Sequence, residues 1–324
     1  MSNLVSLDTL TAGITPDVFQ PELPFEFGGD LPLDNISAYK MSAPTAHWLL
    51  VTKGFHSFGY ELTMRIASED DTAPKWAVEL LKSMSRDVFN KKQSFELGQV
   101  LPLDAPLVAE ADCFLTSLFF VADPELENNG ETPFICVAGI TQDEALAAHA
   151  WKAEKIAQLL AFQVKNHIID LRRFSVMKNE NIAAAVARGS DTDGSDMENV
   201  PCGKIDFVIN DASANRASIE FDAMAAEYLD AILPGRLPHG KQVNIVQGDK
   251  RISLIPSDEP GIKGVDHTWV EVSVTPNMYA QFVDHLTHRR ARFTLDEFDS
   301  VYFSIEDYFL KDENGSCYNI KRWR

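Results

Sequence analysis

The sequence predicts an α+β protein of two domains, residues 1–211 and 212–324, with mixed or antiparallel sheets flanked by helices. Three observations carry this expectation. The 324 residues exceed one ordinary domain. Several short runs alternate apolar and polar residues with period two, while others repeat with helical period. The two kinds of run do not alternate strictly along the chain, as a doubly wound parallel sheet would require.

The first forty residues are rich in Pro, Gly and Asp, and PELPFEFGGDLPLD reads as a lead-in that wraps over the first domain. FGYELTMRI at 58–66 follows as a half-buried strand, because Phe58, Tyr60, Leu62, Met64 and Ile66 alternate with Gly59, Glu61, Thr63 and Arg65. PKWAVELLKSMSRDVF opens with proline at the first helical position. Its Trp76, Leu80, Met84 and Val88, with Leu81 beside them, mark the face that packs on a sheet. CFLTSLFFVA at 113–122 and PFICVAGI at 133–140 read as central strands around the turn-forming DPELENNGET. Thr141 and Glu144 form a capping box that opens one long helix to Phe162, with Trp151, Ile156, Leu159 and Leu160 on its buried face.

GSDTDGSDMENVPCG at 189–203 is the most loop-like internal stretch, and NDASAN at 210–215 reads as the join between the domains. Strands KIDFVIN and ASIEF flank that join, and DAMAAEYLDAIL follows as a helix. Strands near 242–247, 251–255 and 268–274 come next. Thr275 and Pro276 cap a helix carrying Tyr279, Phe282, Val283 and Leu286, and SVYFSI at 300–305 closes the sheet. Trp48, Trp76, Trp151 and Trp269 read as core anchors.

Charge narrows the function. With 48 acidic and 29 basic residues the net charge is −19, which repels phosphate backbones and argues against nucleic-acid binding. The same field attracts a basic partner. The four cysteines form no CxxC pair and no compact Cys/His quartet, and the first residues do not read as a signal peptide. No apolar stretch approaches the ~20 residues of a membrane span. The expectation is a cytoplasmic chain with reduced thiols.

The chemical motifs fail one by one. GRLPHGK at 235–241 fits the opening of a phosphate-binding loop, but a helix precedes it, a strand follows, and Gln242 stands where Ser or Thr is needed. DTDGSDMEN has its glycine fourth rather than sixth, with Cys202 at the twelfth position, so it reads as an acidic loop rather than a calcium site. His285 and His288 lie three apart with no further ligand nearby, and HRRAR reads as a solvated face at a helix C-terminus. No nucleophile elbow is present. These residues point to no catalytic group, no cofactor and no metal; an enzyme with an unrecognised site is the alternative of another class.

Longer strings resemble the Suppressor of Fused family. GGDLPLDNISAYK followed by His47 and Trp48, then FGYELTMRI, APKWAVELLKSMSRDVF and SFELGQ, are similar to its opening segments in the same order. ADP at 122–124, TPF at 132–134, VAGITQDE with Trp151, IIDLRR, TDGS and GRLPHGK continue the series to about residue 255. The resemblance implies two α+β domains joined by a hinge, and no catalysis. It also implies a cleft between the domains that, in animal members, clamps an extended segment of Gli transcription factors by strand addition. Animal members grip that segment with a Tyr, an Asp and a Glu, where this chain has Asp87, Gln99 and Ala122; Phe95, Gly98 and Asp123 are retained. These departures resemble the bacterial branch, which implies an immunity protein that neutralises a toxin. Asp87, Phe95, Gln99, Ala122 and Asp123 are therefore the expected partner-binding residues. The expected partner is a protein or extended peptide, bound through the cleft or an acidic face, and a basic toxin suits the charge; the alternative is a regulator that sequesters a transcription factor or other peptide by strand addition in the cleft.

Overall fold

Strand-forming stretches dominate the first half of the chain, and one long amphipathic helix covers the sheet that they build. The structure, a computed structural model, describes residues 4–20, 33–103, 105–109, 112–212, 215–287, 289–311 and 317–320. Residues 21–32 of the expected lead-in, and His288, lie outside the described residues. The chain divides into two units, residues 1–148 with 153–183 and residues 149–152 with 184–324.

The first unit holds α1 (Leu7–Leu10), β1 (Asp17–Phe19), β2 (Asn35–Met41), β3 (His47–Lys53), β4 (Glu61–Ala67), α2 (Lys75–Lys91), β5 (Val100–Pro102), β6 (Ser117–Ala122) and β7 (Phe134–Ile140). Next come α3 (Gln142–Ala150) and α4 (Ala153–Gln163), and α5 (Glu180–Asp193) runs on from the first unit into the second. The seven strands form one sheet in the order β1-β2-β3-β4-β7-β6-β5. Its neighbours are antiparallel except for β4 and β7, where Glu61 pairs with Phe134 and Thr63 with Cys136.

Both faces of this sheet are covered. On one, Leu62, Met64, Leu50, Phe120 and Val137 share a core with Ala77, Val78, Leu81, Met84 and Val88 of α2. Trp76 and Leu80 flank that stripe half-buried rather than leading it. On the other face Met41, Leu49, Val51, Leu126 and Phe134 pack with Leu7, Leu10 and Ile14. The expectation of a half-buried strand at 58–66 is thus corrected: Phe55–Phe58 is a 3₁₀ turn, Thr63 and Arg65 of β4 are buried as fully as the apolar residues beside them, and Glu61 is buried too.

The long helix expected from Thr141 is also corrected. Half of the capping box forms: the Glu144 carboxylate accepts the Thr141 N–H at 3.0 Å, but the Thr141 hydroxyl donates to Asp143, which also accepts the Glu144 N–H at 3.1 Å. The helix then breaks at Trp151 and Lys152, between α3 and α4. Trp151 leaves the helical path to donate its indole N–H to Asp193 at 2.8 Å, and its ring covers Gly189. A Cβ at Gly189 would stand 2.3 Å from that ring, so only glycine admits it. The same packing makes 189–193 the last turn of α5 rather than the expected loop, with Ser190 Oγ donating to the Ala150 carbonyl at 2.6 Å.

The second unit adds β8 (Asn199–Pro201), β9 (Asp206–Asp211), β10 (Arg216–Asp222), α6 (Ala223–Ile232), β11 (Val243–Gln247), β12 (Lys250–Pro256), β13 (Gly261–Gly264) and β14 (Trp269–Val274). It ends with α7 (Pro276–His285), β15 (Ala291–Leu295), β16 (Phe298–Glu306) and a hairpin of β17 (Phe309–Lys311) and β18 (Cys317–Ile320). One sheet runs β15-β16-β10-β9 and another β13-β14-β12-β11-β8. Residues of both sheets, α6 and α7 share one core that includes Ile219, Phe221, Leu229, Ile245, Val272, Phe282 and Phe303.

The expected boundary at residue 211 does not match this division. NDASAN does not separate the two units, because β9, which includes its Asn210 and Asp211, pairs antiparallel with β10, and both strands belong to the second unit. Asp222 and Thr275 cap α6 and α7, accepting from Ala225 N at 3.0 Å and Met278 N at 3.2 Å. GRLPHGK is a helix-to-strand turn, as its neighbours implied. HRRAR is not the end of a helix: α7 stops at His285, and Arg292 lies within β15.

Candidate functional site

The stretch after α2 has to return the chain to the sheet edge. Lys92 (φ 52°) ends the helix in the left-handed region, and Gly98 (φ 86°) makes the second reversal. Between them the Phe95 N–H donates to the Tyr60 hydroxyl at 3.2 Å, which fixes the segment against the sheet. The half-buried Phe95 ring stacks on Phe120 with centroids 4.2 Å apart and planes 11° from parallel. Gly98 N–H donates to the Phe120 carbonyl at 2.7 Å, and Phe120 N–H to the Gln99 carbonyl at 3.0 Å. The Gln99 side-chain oxygen accepts from Glu96 N at 3.0 Å.

Phe95, Gln99 and Ala122 are therefore brought to one region, around β6 and its edge neighbour β5. Ala122 ends β6 and is exposed, as is Leu97 in the loop. Asp87 lies on the exposed side of α2, ion-paired with Lys91 one turn on at 3.4 Å. An exposed pair of this kind is worth a few tenths of a kcal/mol, about 0.3–0.5.

Asp123 is placed differently from expectation. Its side chain is 1% exposed, and both oxygens receive the Arg65 guanidinium, at 2.7 and 2.9 Å. Thr63 Oγ1 donates to it at 2.6 Å, and the N–H groups of Glu125 and Leu126 at 2.9 and 2.8 Å. The Arg65 Nε donates to Glu125 at 3.1 Å. Burial alone would raise the Asp123 pKa, but the Arg65 charge and these hydrogen bonds outweigh it and hold the carboxyl below its ordinary value. Burial pushes the neighbouring Cys136 thiol up to about 12 and the His167 imidazole down to about 4. This cluster is an anchor of the fold, with every carboxylate oxygen of Asp123 committed.

Sequence reasoning missed Arg65 and Glu125 as the partners of Asp123. The signal lay in the alternation itself: Glu61, Thr63 and Arg65 share one face of β4, and β6 runs out into Asp123 and Glu125 beyond β7. Among the described residues no group of three or more His, Cys, Asp or Glu could hold a metal ion. No helix of the described residues is long and apolar enough to cross a membrane.

Comparisons with known proteins fit this geometry. Residues 29–174 match the family model of Suppressor of fused protein (SUFU). The Suppressor of fused homologs of Mus musculus and Homo sapiens are each 26% identical over 208 residues, 53% of this chain and 43% of theirs. The match thus spans less than half the length of those relatives. The crystal structure of Drosophila Suppressor of Fused superposes with a TM-score of 0.68, at 16% identity, over 90% of this chain and 92% of that one. Over residues 29–174 the chain is thus similar to the Suppressor of fused family, and it has the fold of Drosophila Suppressor of Fused.

Proposed function

We propose that this chain is a non-enzymatic protein-binding module of the immunity type, which captures a basic partner, a toxin, on the first-unit surface that carries Asp87, Phe95, Gln99 and Ala122. The observation behind the reading is the family match, which spans this surface. The local geometry supports it. The half-buried Phe95 ring stacks on Phe120 of β6, with exposed Leu97 and half-exposed Gln99 in the same loop and exposed Ala122 at the end of β6, a mixture of apolar and polar groups of the kind interfaces use. A net charge of −19 complements a basic protein and speeds its encounter.

Strand addition at the edge strand β5 is the second reading. The Gln99 carbonyl and Leu103 N–H both face β6, which turns the main-chain groups of Val100 and Pro102 outward. Pro102 has no N–H to offer, so an added strand would find a donor only at Val100.

The test is a pull-down from the native lysate at low and moderate salt, followed by rate measurements on the captured protein. A basic protein held at low salt and released at higher salt is the expected result. Asp87→Lys should slow its association several-fold and flatten the salt dependence, with little change in dissociation, as expected for a charge at an interface margin. A partner that binds Asp87→Lys and the wild type alike would remove this surface from consideration. Retention of no protein in either buffer would remove the binding-module reading itself.

A further inference from the structure

The sheet β15-β16-β10-β9 buries only one side. Ala217, Ile219, Phe221, Phe303 and Ile305 enter the core, while the residues between them face out. On the open side the strand register aligns Asp206, Glu220, Ser304 and Arg292 in one row across the four strands. A shallow groove of about 530 Å³ lies there, lined by Ser218, Glu220, Ser304, Glu306, Arg290 and Arg292.

Most of the charges in this groove already have partners. Glu220 pairs with Lys204, Glu306 with Arg290 at 3.2 Å, and Asp206 with Lys250 at 3.6 Å. Arg292 differs. Its guanidinium lies over the Tyr302 ring, 4.7 Å from the centroid, and among the described residues no carboxylate stands within 4.0 Å of it. Stacking uses the flat face of the cation and leaves its in-plane N–H groups free, in the geometry that receives a carboxylate with two hydrogen bonds. Among the described residues the Ser218 and Ser304 hydroxyls have no side-chain hydrogen bond, so they add free donors to the groove. Tyr302 and Val208, about half exposed, supply apolar surface beside them.

We propose that this groove is a second binding site, which receives an acidic side chain of an extended protein segment, with Arg292 as its carboxylate receptor and Ser218 and Ser304 as supporting donors. Charge selects the occupant. Arg289, Arg290 and Arg292 are exposed within four residues of a chain that is otherwise strongly acidic, which marks the edge as a place for anionic groups. Glu220 and Glu306 in the same groove repel a dense polyanion, so a single carboxylate presented by a peptide fits where a nucleic acid does not.

The probe is a terminally blocked, fluorescein-labelled peptide of alternating glutamate and valine, titrated with the full chain and read by anisotropy at low salt. The expected result is saturable binding, weakened about tenfold by Arg292→Gln and less by Arg292→Lys, which keeps the charge but loses the planar fork. The matched glutamine–valine peptide should bind as weakly as the glutamate peptide binds Arg292→Gln. Because Arg292 is exposed, its variants should keep the wild-type circular dichroism and urea midpoint. Absence of saturation, or equal binding by Arg292→Gln, overturns the proposal. So does stronger competition by inorganic phosphate than by blocked glutamate, or concentration-dependent self-association that Arg292→Gln abolishes. Asp87→Lys and Arg292→Gln report on different units, so this proposal and the first-unit reading fail separately.

Discussion

Arg65 carries a charge with almost no access to water, and Asp123 is the reason the fold tolerates it. Removing one member of such a pair strands the other, which costs about 3–5 kcal/mol, far more than any exposed pair contributes. Asp123→Asn should therefore lower the free energy of urea unfolding by about that amount. The pH dependence has a definite sign. A carboxyl held below its ordinary value stabilises the fold above an unfolded pKa of about 4 and loses that contribution as pH falls through the folded value. The gap in stability between wild type and Asp123→Asn should thus shrink below about pH 4. A gap independent of pH would mean that the asparagine cost is one of shape rather than charge.

Elements were legible where period and cap agreed. Thr275 followed by Pro276, and Asp222 before an Ala-rich run, announced α7 and α6, and both caps are made by those side chains. The short edge strands β5 and β13 were not foreseen, because three or four residues carry too little period to read. The end of the long helix was hidden because nothing local stops it; Trp151 is drawn out by Gly189 and Asp193, about forty residues away. At the candidate site the same division holds. Phe95 and Gln99 were found through family strings, while the burial of Asp123 depends on residues far away in the chain. The two caps also predict unequal costs. Thr275→Ala should cost about 1 kcal/mol in urea unfolding, the usual value of an N-cap. Asp222→Ala should cost more, since the Gly203 and Lys204 N–H groups also donate to that carboxylate, at 2.7 and 3.0 Å. Equal losses would show that these two extra bonds contribute nothing.

For the whole molecule, two histidines that the fold keeps neutral add to the loss of stability in acid. Burial lowers both His149 and His167 to about 4. The unfolded chain takes up protons on them near pH 6.5, so each contributes stability above that pH that is lost progressively as pH falls toward 4. The contribution is up to about 3 kcal/mol each. Urea midpoints should fall steeply between pH 6.5 and 4, and His167→Gln should flatten part of that slope; an unchanged slope would count against a buried neutral His167. The pairing of β10 with β16 has a further consequence, for the order in which the molecule can be made. The strands of the first sheet have all been made once β7 is synthesised, whereas β10 must wait for a partner about eighty residues downstream. At roughly 5–20 residues per second that interval lasts several seconds, during which the apolar side of β10 and α6 has no completed sheet to close on, and a chaperone has its window to act.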